Sequence, residues 1–106
     1  MKLTAICDKD TKVGLQLAGM QEVYTPDRDD AGKIWDSLAE RDDIGIIFIT
    51  EAIAKNIERR LNEFRLRNNV PIIIEIPDKK GRKEDYVVYI SDLVKKTVGI
   101  EISRER

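Results

Sequence analysis

Histidine is missing from this chain of 106 residues, and with it go the commonest general base and the commonest neutral metal ligand. Zinc centres and Ser-His nucleophilic chemistry are thereby excluded. A single cysteine, Cys7, is present, so no intramolecular disulfide can form and a reducing compartment is expected. It lies in an apolar run, where a cysteine behaves as a small buried hydrophobe. Neither sign of charge dominates, since 19 Lys and Arg against 20 Asp and Glu leave a net charge of -1. Nucleic acids and anionic membranes reward a clear basic excess, so neither is expected as the main partner. No apolar stretch approaches the roughly 20 residues that span a bilayer, and no charged start leads into an apolar signal region. The expectation is a soluble, unexported chain without direct membrane insertion, long enough for one modest core.

What is present alternates between two kinds of segment. Leu3 to Cys7 is short and apolar, then gives way at Asp8, as a buried strand does on entering a turn. Asp10 or Thr11 is a natural cap for a helix carrying Val13, Leu17 and Ala18, and Gly19 suits its left-handed end. "MQEVY" reads as a second strand, and Pro26 with the aspartates of "TPDRDD" opens a helix whose inner face is Ala31, Ile34, Trp35 and Leu38. "IGIIFIT", residues 44–50, is continuously apolar and β-branched, the pattern of a strand covered on both faces in a parallel sheet. Thr50 is placed to cap the next helix. There Ile53, Ile57, Leu61 and Phe64 form the apolar stripe, and Arg65 and Arg67 sit at the end favoured by cations. "VPIIIEIP", residues 70–77, predicts a fourth buried strand that Pro77 ends.

This alternation predicts a three-layer α/β fold built on a four-stranded parallel sheet, Rossmann-like or receiver-like, with a C-terminal helical segment. The expected organisation is an α/β domain over residues 1–77, a basic linker over 78–86 and a helical tail over 87–106. In the tail Val87, Ile90, Leu93, Val94 and Val98 fall on one stripe.

Asp8 and Asp10 stand at the carboxyl end of the first strand, where doubly wound sheets bind ligands. Two carboxylates can hold Mg2+ through oxygen ligands. A phospho-acceptor receiver also needs an aspartate ending the third strand and a lysine after a fifth. Here the third strand ends in Thr50 and Glu51, and no fifth strand is evident. No G-x-G-x-x-G follows the first strand either, and Gly14 and Gly19 are isolated. Helix capping and turn formation account for both aspartates.

Four segments in this order, "CDKDTKVGLQLAGMQEVY", "RDDIGIIFITEAIA", "VPIIIEIPDKKG" and "LVKKTVGIEI", together resemble the F subunits of the archaeal and bacterial V/A-type rotary ATPases. The resemblance covers nearly the whole chain and departs from the family at Cys7, where glycine is usual. It implies a non-catalytic rotor component of the central stalk without a cofactor, cytoplasmic and peripheral to the membrane as part of the ATPase complex. Such a protein binds the coiled-coil D subunit of the stalk and works with the catalytic head subunits and the membrane-ring adaptor, coupling ATP hydrolysis or synthesis to ion transport. The family's tail is thought to move and to regulate hydrolysis.

Torque transmission needs an apolar contact patch with charges that set its register. The candidate partner-binding residues are Val87, Ile90, Leu93, Val94 and Val98, with Lys80 and Arg82 to meet acidic surfaces. The same stripe also suits a helix that covers its own sheet, and Lys79, Lys80, Arg82 and Lys83 also suit a solvated loop. Trp35 fits either an interface or the core. Two other functional readings remain: a receiver-like signalling or regulatory domain lacking phosphorylation, and a Mg-dependent small-ligand domain using Asp8 and Asp10.

Overall fold

A computed structural model describes the backbone of residues 2–105 and the side chains of residues 2–97. Four parallel strands, β1 (Lys2–Ile6), β2 (Glu22–Tyr24), β3 (Ile44–Thr50) and β4 (Ile72–Ile76), lie in the order β2-β1-β3-β4. Helices α1 (Lys9–Leu17) and α5 (Lys83–Glu105) cover one face; α2 (Ala31–Ala39), α3 (Glu51–Asn56) and α4 (Glu58–Arg67) cover the other. The three-layer α/β fold expected from the sequence is therefore the one found.

β3 occupies the centre, and every one of its residues is buried. Its continuous apolar run follows from that position, because helices cover both faces. The register with β1 slips between Lys2, opposite Ile44, and Leu3, opposite Ile46. Gly45 is the extra residue of this bulge, and the slip turns Ile44 toward the α2–α4 face while Ile46 points to α1 and α5. β4 departs from expectation. It lies at the sheet edge, with Glu75 and Ile72 exposed and only Ile76 fully covered. An apolar run cannot by itself distinguish a central strand from an edge whose outer side awaits cover.

Asp8, and not Asp10 or Thr11, is the N-cap of α1: its Oδ1 accepts the Thr11 amide at 2.7 Å. Gly19, at φ 96°, ends the helix as expected. Its amide donates to the Gln16 carbonyl and that of Met20 to Leu15, closing the two hydrogen bonds of a Schellman motif. Thr50 stands at the N-cap of α3 without a side-chain cap bond. Asp78, from beyond β4, accepts the Ala52 amide at 3.2 Å instead.

The helix expected to run unbroken from Ile53 to Phe64 is divided at Ile57, whose φ of -115° and ψ of 28° leave the helical region. Asn56 Nδ2 donates to the Arg28 carbonyl at 3.0 Å, anchoring the end of α3 to the β2–α2 loop. That tie is tertiary, and no proline or glycine marks the break. Trp35 is 2% exposed and meets Phe64 edge to face with ring centroids 5.3 Å apart, so it belongs to the core beneath α2 and α4.

Candidate partner-binding surface

The C-terminal helix begins at Lys83, so residues 83–86 form its first turn and only residues 77–82 connect it to β4. The apolar stripe lies along the sheet. Ile90 and Val94 are 0% and 1% exposed, Val87 is buried, and Leu93 packs at the cluster's margin with Leu15, Phe48 and Ile76. The side chain of Val98 lies outside the described residues. In this arrangement α5 serves its own core, the role that an amphipathic helix ordinarily takes.

Gly14 sets how closely α5 approaches α1. A Cβ at this position would stand 2.9 Å from both Ile90 Cβ and the Val87 carbonyl oxygen, so only glycine permits the crossing. Polar contacts fasten the upper end of α5. The Tyr86 hydroxyl lies 2.8 Å from Thr11 Oγ1 and donates to the Pro77 carbonyl at 2.9 Å. Burial holds the Tyr86 phenol above its ordinary range, because the phenolate would be desolvated there. Asp10 receives Lys79 Nζ at 3.0 Å and Lys83 Nζ at 3.5 Å. Its hydrogen bond with Lys79, first among several causes, keeps the Asp10 carboxyl below the usual carboxylate range.

Of the two basic residues singled out from the sequence, Arg82 is exposed and approaches Glu84 and Asp85 of its own turn at 3.9 and 3.8 Å. Lys80 lines a shallow recess with Pro77, Tyr86 and Tyr89. Both remain accessible, apart from the buried stripe. Lys79 and Lys83, the other two residues of the basic run, turn inward to Asp10, a contact that the sequence did not indicate. Their spacing of four hints at a shared face, but Asp10 lies far away along the chain and nothing local signals it.

At the carboxyl ends of β1 and β3 an open cleft of about 690 Å3 is lined by Cys7, Asp8, Arg28, Lys55 and Asn56 among others. This is the topological switch point of the sheet. Two of its polar side chains are engaged: Asp8 caps α1, and Asn56 holds the Arg28 carbonyl. Burial pushes the Cys7 thiol up to about 12, so it stays protonated and inert near neutrality. Among the described residues no group of three or more Cys, Asp or Glu is placed to hold a metal ion, and Asp10 is turned to its lysines. No described helix is long and apolar enough to cross a membrane.

The strand order and the helix docked from beyond β4 define a small doubly wound α/β module with an added C-terminal helix. The family model of the ATP synthase (F/14-kDa) subunit matches residues 3–94, and the chain belongs to that family. It is 38% identical to the F subunit of the A-type ATP synthase of Thermococcus gammatolerans over 109 residues, covering 98% of this chain and 100% of that one. It is 40% identical to that of Pyrococcus furiosus over 111 residues, with 98% and 100% covered. With that of Methanocaldococcus jannaschii the identity is 35% over 103 residues, covering 96% and 99%. Its fold is similar to a crystal structure of the V-type ATP synthase F subunit from Archaeoglobus fulgidus (TM-score 0.58, 22% identity), covering 71% of this chain and 95% of that one. The family resemblance read from the four sequence segments is thus borne out.

Proposed function

We propose that this chain is a non-catalytic rotor component in the central stalk of a V/A-type ATP synthase, cytoplasmic and peripheral to the membrane. It binds the coiled-coil D subunit of the stalk, works beside the catalytic head subunits and the membrane-ring adaptor, and helps couple ATP turnover to ion transport. The observation that carries this reading is the match of nearly its whole length to A-type ATP synthase F subunits.

α5 is the element through which the chain would regulate the complex. When docked it offers Lys80 and Arg82 to acidic partner surfaces; when released it would also offer Val87, Ile90, Leu93, Val94 and Val98. Re-exposing a buried aliphatic side chain costs about 1.5–3 kcal/mol, so release needs a partner groove that covers the stripe again. The polar fastening through Tyr86 and Asp10 supports such a switch, because it can break without disturbing the sheet.

Two measurements test the reading. The chain is expected to co-purify and form a stable complex with the coiled-coil D subunit; failure of that protein to bind would overturn the stalk assignment. Removing the residues after Arg82 is expected to change stalk assembly or the ATPase rate of the reconstituted complex. The double variant Asp10→Asn, Tyr86→Phe, which loosens α5 without uncovering the core, is expected to change the rate in the same direction. Unchanged assembly and rate in both would refute regulation by α5.

A further inference from the structure

The two sheet edges are unlike. β2 is three residues long and its Glu22 is held by Arg41 at 2.6 Å, which shortens and blunts that side. β4 pairs with β3 through an unbroken register of five residues, and no described strand lies beyond it. It carries no lysine and no bulge, two of the devices that protect an open edge, and Glu75 is its one charged residue. Pro71 and Pro77 bracket it, which limits any added ladder to about five residues, or about 17 Å.

The two sides of this edge differ in chemistry. Side chains alternate along a strand. Ile74 packs on the α1–α5 side, and Ile72 shares that side but is 55% exposed. Ile73 packs on the α3–α4 side, which Glu75 shares. There Glu75 joins Glu51, Glu58 and Asp78 in lining a groove of about 430 Å3, against Lys55 and Arg65. Glu75 is within 3.4 Å of Arg65, whereas Glu51 and Glu58 form no ion pair among the described residues. Leu66 in the last turn of α4 and Val70 just before β4 are also exposed, at 87% and 53%.

We infer that the open edge of β4 accepts an extended segment of a partner chain in which basic and apolar residues alternate. Main-chain bonds to β4 supply the pairing. Apolar side chains of the segment cover Ile72 and Ile74, and basic ones reach Glu75, Glu58 and Glu51. A second copy is a poor occupant, since two-fold pairing of β4 would bring two acidic grooves together.

The experiment uses the isolated full chain, so its outcome is separate from that of the stalk assignment. The probe is a nine-residue peptide of alternating lysine and valine, with an alternating glutamate and valine peptide as control. The lysine peptide is expected to slow hydrogen exchange about tenfold or more at the β4 amides pointing away from β3, while the glutamate peptide does not. Ile72→Lys and Glu58→Lys, both at exposed sites, are each expected to weaken binding about tenfold. Val88→Lys, an exposed change on α5, is expected to leave it unaltered. Absence of β4 protection, undiminished binding by both edge variants, or protection without peptide in a particle of doubled mass would overturn the inference.

Discussion

Asp8 accepts the Thr11 amide, while Asp10, two positions on, receives Lys79 from the connection to α5 and Lys83 from the first turn of that helix. The first contact is local and follows from the residue types that cap helices. The second joins distant parts of the chain. Trp35 shows the same limit, because its indole suits an interface or a core until its surroundings are known. With Phe64 set edge-on against it and almost no exposure, Trp35→Ala is expected to cost about 3–5 kcal/mol in urea denaturation. Affinity for the coiled-coil D subunit, measured well below the unfolding transition, should then be unchanged.

At the scale of elements, α5 depends on a glycine that no motif announces. Gly14 lies in the middle of α1, where glycine is unfavourable for the helix alone, and its value appears only where the Ile90 side chain and Val87 backbone come within 2.9 Å of a would-be Cβ. Neither neighbour is a flexible tip, so Gly14→Ala is expected to destabilise the protein by about 1–3 kcal/mol through overpacking. Hydrogen exchange should show α5 amides opening more readily than those of β3. The division at Ile57 and the cap from Asp78 are likewise tertiary features. By contrast the existence of α1, α2 and the four strands was legible from periodicity, capping residues and turn chemistry.

Across the whole molecule, ionisable groups tie the layers at both ends of the sheet. Arg41 donates to Glu22 and Asp43, and those hydrogen bonds, the largest cause in each case, hold both carboxyls below their usual range. Asp10 is lowered by its lysines. A carboxyl lowered in the folded state contributes stability that is present above its unfolded value and disappears as pH falls through the folded one. Tyr86 behaves oppositely: raised from an ordinary value of 10.0, it contributes below that value and loses its contribution as pH rises through the higher folded one. Thermal stability is therefore expected to be level near neutrality, to fall in acid below the carboxylate range, and to fall again in alkali above about pH 10. Melting curves recorded against pH check this, and Tyr86→Phe should weaken the alkaline decline.

Apolar periodicity and helix-breaking residues, being local properties, already specified an α/β chain with four strands and an amphipathic last helix. The sequence likewise carries no histidine, so the commonest general base is missing from it. Which strand became an edge, and whether the stripe of α5 lay on its own sheet or was offered to a partner, depended on neighbours distant along the chain. Those choices fell to the tertiary structure, because burial and charge pairing are properties of residues brought together in space and leave no signature in the spacing of either partner.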